Sequence, residues 1–202
     1  MKSILITIVL LILSANLFAQ EKSPIRKNQG IFNITEIGYL PSVGNVNYSG
    51  YSVENSAQTY RLRTIFGYFL NPYLSVGLGV GLDGYHDPTY NTMPLFIEGR
   101  GYLWNSRNTP YVFLDLGKAI KAGKEFEKGF FLNTGIGYKF FLIKKWCMNI
   151  SFGFNSQHMR EADVWYFYHD NEEIISWQRK PTPINMKALS INLAFHFNIF
   201  SH

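Results

Sequence analysis

Residues 74–85, LSVGLGVGLDGY, decide the fold, because their apolar side chains recur at every second position. Leu74, Val76, Leu78, Val80 and Leu82 share one parity, and Ser75, Gly77, Gly79, Gly81 and Asp83 share the other. Successive side chains of a strand point to opposite faces, so this pattern predicts a strand with one apolar and one polar face. A helix would scatter the same leucines and valines around its circumference.

The same alternation recurs along the chain. Residues 60–70 carry Arg61 and Arg63 on one parity and apolar or aromatic side chains on the other. The remaining strands are predicted at 30–40, 93–104, 110–120, 129–141, 146–158 and 186–200. The total of eight strands, each near the length that crosses a bilayer at a tilt, indicates a transmembrane barrel.

The connections between these strands alternate between short and long. The short ones are 71–73, 105–109 and 142–145, and the long ones are 41–59, 86–92, 121–128 and 159–185. Outer-membrane barrels have short periplasmic turns and long external loops, so both chain ends are expected in the periplasm. A soluble β-sandwich is the alternative for the same alternation, but its strands are usually shorter.

The N-terminus has the features of an export signal. Lys2 precedes an apolar run at 4–13, and a small-residue segment at 14–19 follows. The run is too short to span a bilayer as a helix, so residues 1–19 are predicted to be a cleaved signal peptide. A short periplasmic segment, 20–29, and the barrel, 30–202, complete the predicted organisation.

Composition excludes several classes of protein. The net charge of +5 is spread along the chain without a basic cluster, so no nucleic-acid partner is expected. A single cysteine, Cys147, cannot form an intramolecular disulfide. Histidines show no metal-ligand spacing, and no phosphate-binding loop precedes a helix, so no metal or cofactor is expected.

Aromatic residues recur near the predicted strand ends, as an interfacial girdle requires. They are Tyr39, Tyr60, Tyr73, Tyr85, Tyr102, Trp104, Tyr111 and Trp146. The predicted fold class is therefore all-β, an eight-stranded antiparallel up-and-down transmembrane β-barrel.

Three stretches carry a resemblance to a known family: NTMPLFIEGRGY at 91–102, TPYVFLDLG at 109–117 and NTGIGY at 133–138. They resemble the small outer-membrane β-barrel proteins of the porin-like domain class, with an OmpA/OmpX-like architecture, over about residues 60–158. The resemblance implies the fold and a location in the outer membrane of a Gram-negative cell envelope. It implies no chemistry, because the class includes adhesins, small pores, enzymes and stabilising proteins.

Charged residues are predicted on the inner face of the barrel. They are Arg61, Arg63, Asp83, Glu98, Arg100, Asp115 and Lys139. Pairing strands across the short turns places Arg61 opposite Asp83, and an Arg100 bridge to Asp115 or to Glu98 is expected. Side chains can just fill an eight-stranded barrel, so the lumen is expected to be plugged, with a narrow pore as the alternative.

A candidate nucleophile set lies at the end of the seventh predicted strand. Ser156, His158 and Glu161 supply a hydroxyl, an imidazole and a carboxylate. The stretch is similar to the lipid A deacylase barrels, whose motif is His, any residue, Ser, Asn. Here Arg160 and Glu161 stand in place of that Ser and Asn, so we expect no enzymatic activity, with lipid A modification as the alternative.

The loop at 159–185 is the candidate binding element. Its two apolar runs flank an acidic turn and predict an external hairpin with the aromatics Trp165, Tyr166, Tyr168 and Trp177. An external protein or glycan is the candidate partner, beside the surrounding outer-membrane lipid and lipopolysaccharide, and a monomer is expected. The polar loop at 41–59 is expected to be mobile.

Overall fold

The computed structural model describes residues 28–48, 51–54, 57–86, 90–120, 129–143, 146–170 and 173–199. Its strands are β1 (Gly30–Pro41), β2 (Asn45–Tyr48), β3 (Tyr51–Glu54), β4 (Gln58–Asn71), β5 (Leu74–His86), β6 (Tyr90–Tyr102), β7 (Thr109–Ile120), β8 (Gly129–Ile143), β9 (Trp146–Asp170) and β10 (Glu173–Asn198). The predicted signal peptide and most of the segment 20–29 lie outside the described residues. Within the described ranges, no helix is long and apolar enough to cross a membrane.

Eight of these strands form a closed antiparallel barrel in the order β1-β10-β9-β8-β7-β6-β5-β4. Strand β1 closes it, since Ile34 is the register partner of Ile65 on β4 and of His196 on β10. Closure gives the strands partners on both sides and leaves no free sheet edge. The predicted eight-stranded barrel is confirmed.

The barrel wall has apolar side chains outside and polar side chains inside, the reverse of a soluble protein. Along β4, buried and exposed side chains alternate, with Leu62 half exposed and Arg63 only 1% exposed. Leu78 and Ile97 on the outer face are 65% and 61% exposed. An apolar outer wall around a polar interior is the arrangement that a barrel in lipid requires.

Aromatic rings from one strand fill the space over glycines of the next. A Cβ atom on Gly79 would meet the ring of Phe96, and one on Gly67 would meet the ring of Phe32. Phe96 also contacts the ring of Phe131, with 5.7 Å between centroids. The inner-face glycines therefore make room for side chains of neighbouring strands.

The last two barrel strands are longer than predicted. Strands β9 and β10 stay paired from Phe197↔Trp146 to Glu173↔Asp170, and no loop interrupts the ladder. The register shifts near Ile174 and near Thr182. The part of this pair beyond Met159 and Ile184, the β9–β10 ribbon, is the hairpin that the sequence predicts. Its runs of β-branched and aromatic residues favour strand over loop.

The segment 41–59, predicted as a polar loop, contains secondary structure. Strands β2 and β3 pair in it as a hairpin, with Tyr48 opposite Tyr51. The polar composition of this loop hid the hairpin, although the intervening Ser49 and Gly50 leave the two-residue spacing that tight hairpins prefer.

Replacing Gly135 by Ala should destabilise the barrel by about 1–3 kcal/mol, because an added methyl group has no room. Its Cβ would lie 2.5 Å from the Cα of Gly153 and 2.9 Å from the ring of Phe113. Gly99→Ala is the matched control: no atom lies within 4 Å of its added Cβ, so the change should stay within about 0.5 kcal/mol. Urea unfolding of the refolded protein in detergent micelles measures both, and equal costs would contradict the packing described here.

Candidate functional site

The barrel lumen holds a balanced set of buried charges. Among described side chains, the buried cations are Arg61, Arg63, Arg100 and Lys139, and the buried acids are Glu36, Asp83, Glu98 and Asp115. Each is at most 5% exposed. All seven charged residues assigned to the interior from sequence are on this face, and the eighth, Glu36, was missed. Four positive and four negative charges leave the described interior with no net formal charge.

The larger ionic network connects five strands. Arg61 donates to both oxygens of Asp83, at 3.0 Å from Nε and 2.9 Å from Nη2. Arg63 lies between two acids, with Nη2 at 3.5 Å from Asp83 and Nη1 at 3.1 Å from Asp115. Asn133 on β8 donates to the same Asp115 oxygen at 2.7 Å. Nη2 of Arg61 also donates to Oδ1 of Asn155 on β9 at 3.0 Å. The network thus spans β4, β5, β7, β8 and β9, and its bidentate pair has the geometry of strong charge-assisted hydrogen bonds.

A second ion pair lies on β6. Arg100 donates to both carboxylate oxygens of Glu98, at 2.7 and 2.8 Å, and its guanidinium carbon lies 4.9 Å from the ring centroid of Tyr111. Of the two bridges considered from sequence, the structure forms the one to Glu98. Asp115 is the register partner of Glu98, but its ion pair is with Arg63.

Glu36 is the lumen acid that sequence reasoning missed. It lies on β1 as the register partner of Arg63, and it forms none of the ion pairs found among the described residues. The preceding inner-face residues of β1 are Phe32 and Ile34, both fully buried. Polar residues at every second position mark the inner face on other strands. Because Phe32 and Ile34 are apolar, β1 lacks that pattern.

The short-turn end of the lumen is covered by a residue that precedes β1. The amide of Asn28 donates to the carbonyl of Pro72 at 3.0 Å, and its oxygen accepts from Lys139. Gly30 has a φ of 80°, a conformation that glycine adopts without strain, where the chain enters β1. The Lys139 ammonium lies 5.1 Å from the ring centroid of Tyr102 and so sits among aromatic side chains.

Three residues assigned to the aromatic girdle lie in the lumen instead. Tyr85, Tyr102 and Tyr111 are 6%, 3% and 2% exposed, so their girdle assignment was wrong. Each has the same parity as the buried charged residues on its strand, and parity rather than proximity to a strand end decides the face. Exposed aromatics at strand ends are Tyr60, Tyr73, Trp104 and Trp146.

The candidate nucleophile set is only partly brought together. Ser156 and His158 lie on the outer face of β9, and the Ser156 hydroxyl donates to Oδ1 of Asn185 at 3.3 Å. The side chain of Glu161 lies outside the described part of the structure. Within that part, no group of three or more His, Cys, Asp or Glu side chains is placed to hold a metal ion.

The candidate recognition aromatics lie in the β9–β10 ribbon. In its register, Trp165 is opposite Arg179, Tyr166 opposite Gln178, and Tyr168 opposite Ser176. Trp177 is opposite Phe167. Their side chains lie outside the described part of the structure.

Comparison with solved structures places this architecture in a known class of fold. The chain is similar to Neisserial surface protein A (NspA), with a TM-score of 0.54 and 11% identity over 85% of this chain and 100% of that one. It is also similar to the outer membrane protein OprG from Pseudomonas aeruginosa, with a TM-score of 0.54 and 11% identity over 86% of this chain and 98% of that one. The fold is therefore that of the small outer-membrane β-barrels. No protein-family model and no curated protein matches the chain, so the likeness is one of fold.

Removing one member of the β6 ion pair should cost more than removing both. Arg100→Met leaves Glu98 buried without its partner and should lower the free energy of unfolding by about 3–5 kcal/mol. Adding Glu98→Gln removes the unpaired charge and should restore part of that loss. Urea unfolding of the four members of this double-mutant cycle gives the coupling energy, and strictly additive costs would contradict the pair.

Proposed function

We propose that this chain is a monomeric outer-membrane protein with a plugged lumen and both termini in the periplasm. It acts without catalysis, as a structural element of the envelope and as a binding module. The binding element is the long-loop end, above all the β9–β10 ribbon, and the partner is an external protein or glycan.

The observation that carries the plugged lumen is its charge-balanced filling. A solute path through the barrel would need room between Arg63 and the two acids it contacts at 3.1 and 3.5 Å. Opening it would separate buried charges, which is costly in a site with little water. Aromatic rings over the inner-face glycines occupy the remaining width, in agreement with the small interior of an eight-stranded barrel.

The length of β9 and β10 supports binding at the long-loop end. These strands have 25 and 26 residues, whereas about 9–11 are needed to cross a bilayer at a tilt. The excess extends the barrel wall as a paired ribbon on the side away from the short turns. A paired ribbon presents its side chains in a defined register, which suits recognition better than an unstructured loop.

The absence of catalysis is proposed from the surroundings of Ser156. Its hydroxyl donates to an amide oxygen, whereas an activated nucleophile donates to a general base. Two residues of the deacylase motif are also replaced in the sequence, at Arg160 and Glu161.

Wild-type protein in a planar lipid bilayer should give no stepwise current increments above the bare bilayer. The Arg63→Ser/Asp115→Ser variant keeps the interior neutral but removes two central side chains, so increments should appear. Lys118→Ser, on the outer wall, is the control and should behave as wild type. If wild type shows the same current increments as the double variant, the lumen is a narrow pore and the proposed plug is wrong.

Cysteine labelling in cells tests the orientation. In a Cys147→Ala background, Asn171→Cys, between β9 and β10, should react with a membrane-impermeant maleimide in intact cells. Ser106→Cys, between β6 and β7, should react only after the outer membrane is permeabilised. Mass spectrometry of the labelled protein gives the extent of reaction, and the reverse pattern would overturn the proposed orientation.

A further inference from the structure

The β9–β10 ribbon has two sheet edges, although the barrel below it is closed. The eight barrel strands pair in a ring, and β9 and β10 continue beyond the rim as a pair. The edge of a strand carries N–H and C=O groups that can pair with another chain. The two edges of the ribbon are therefore candidate binding sites for an extended strand.

The β10 edge is poorly suited to pairing. Pro181 and Pro183 lie in this part of β10 and lack the N–H that a ladder needs. The register also shifts across Pro183, and such irregularities twist an edge away from a partner. Closer to the barrel, the N–H of Val43 donates to the carbonyl of Lys187 at 2.8 Å. The segment that leads to β2 therefore already occupies this side of β10.

The β9 edge is open beyond Ala162. In the part of the chain that the structure describes, β8 pairs with β9 as far as Met159. The connection between β7 and β8 has eight residues and must return to β7, so it can extend this ladder by three rungs, to Ala162. The other stretches outside the described ranges have two or three residues or attach at the short-turn end. They are too short or too distant to reach this edge.

The open edge is regular and favours strand pairing. Its sequence at 163–169 is DVWYFYH, rich in the β-branched and aromatic residues that favour strands. It contains neither proline nor lysine, which commonly protect an edge from pairing. From Ala162↔Thr182 to Tyr168↔Ser176 it pairs with β10 without a register shift. An incoming strand would therefore meet an uninterrupted edge.

We propose that this edge binds the same edge of a second copy of the chain in a facing outer membrane, as an antiparallel ladder centred on Tyr166. This pairing rests on the proposed external position of the ribbon, and it names the external protein as a further copy of the chain. Two identical edges pair antiparallel around a twofold axis, so that each contact occurs twice.

The register follows from the sequence of the edge. With Tyr166 opposite itself, the opposite positions are Asp163 and His169, Val164 and Tyr168, and Trp165 and Phe167. Acid–imidazole and aromatic pairs at directly opposite positions stabilise an antiparallel ladder, and the twofold axis repeats the acid–imidazole pair at both ends. A centre at Phe167 would place Asp170 opposite Val164 instead. A centre at Trp165 would need the part of the edge within reach of the β7–β8 connection.

Strand direction places the second copy in a facing membrane. Copies in one membrane share an orientation, so the β9 strands of upright neighbours run the same way and cannot pair antiparallel. Copies in two facing membranes run in opposite directions. Tyr166 is seven residues beyond Met159, so at about 3.3 Å per residue the two rims lie up to about 46 Å apart. The chain thus stays monomeric within each membrane and forms contacts between cells.

Disulfide formation in the purified full-length mature protein tests the pairing in detergent, where membrane orientation has no influence. In a Cys147→Ala background, oxidation should convert Tyr166→Cys to a dimer at least about tenfold faster than Gln178→Cys. Opposite residues lie about 5 Å apart, whereas position 178, the register partner of Tyr166 on β10, is about 14 Å from its copy. Heat-modified migration in gels verifies that each variant is folded.

Mixing variants tests the register. Val164→Cys and Tyr168→Cys should each stay monomeric alone and form a dimer when mixed. Asp163→Lys should slow the dimerisation of Tyr166→Cys, and adding His169→Asp should restore it. Equal rates for Tyr166→Cys and Gln178→Cys, or for Val164→Cys alone and the mixture, would overturn the edge or its register. No dimer from any variant would overturn the proposal itself.

Two populations of cells test the facing arrangement. Cells that display Val164→Cys, mixed with cells that display Tyr168→Cys, should give the disulfide-linked dimer, whereas mixing them with Gln178→Cys cells should not. A dimer in detergent without a dimer between the cells would overturn the facing arrangement. Labelling of Asn171→Cys reports separately on the proposed orientation, so a ribbon on the wrong side of the membrane is distinguished from an edge that does not pair.

Discussion

Closure of β1 onto both β4 and β10 is the constraint on which the rest of the structure depends. In hydrocarbon, an unpaired peptide group has no water to bond, so a sheet survives there only when its edges are joined. Joining eight strands also sets a small radius. A charged side chain on the inner face can then find a partner only within the barrel, and the ionic network around Arg63 is the result.

Sequence parity predicted the faces of most strands, and pairing across a short turn correctly placed Arg61 opposite Asp83. Contacts that form only when the barrel closes could not be predicted in this way. Arg63 and Asp115 lie on β4 and β7, three strands apart, and meet only because the strands curve into a barrel. Glu36 was hidden by apolar neighbours on β1. The assignment of Tyr85, Tyr102 and Tyr111 to the aromatic girdle was wrong because it used only their position near strand ends. Their parity along the strand places them on the inner face.

The wall separates two kinds of electrostatic environment. Inside, three of the four buried acids that the structure describes, Asp83, Glu98 and Asp115, form ion pairs with arginines. On the outer face the described side chains are largely apolar, with Leu78 and Ile97 among the most exposed.

The equal numbers of buried positive and negative charges have an electrical consequence. A membrane potential exerts a force on charge, worth about 2.3 kcal/mol for each unit moved across 100 mV. The four cations and four acids among the described lumen side chains experience no net force when they shift together, since the opposing contributions cancel. A field across the membrane can therefore only pull the two signs apart, against the contacts of Arg61, Arg63 and Arg100 with their acids. We therefore expect the described part of the interior to respond little to voltage.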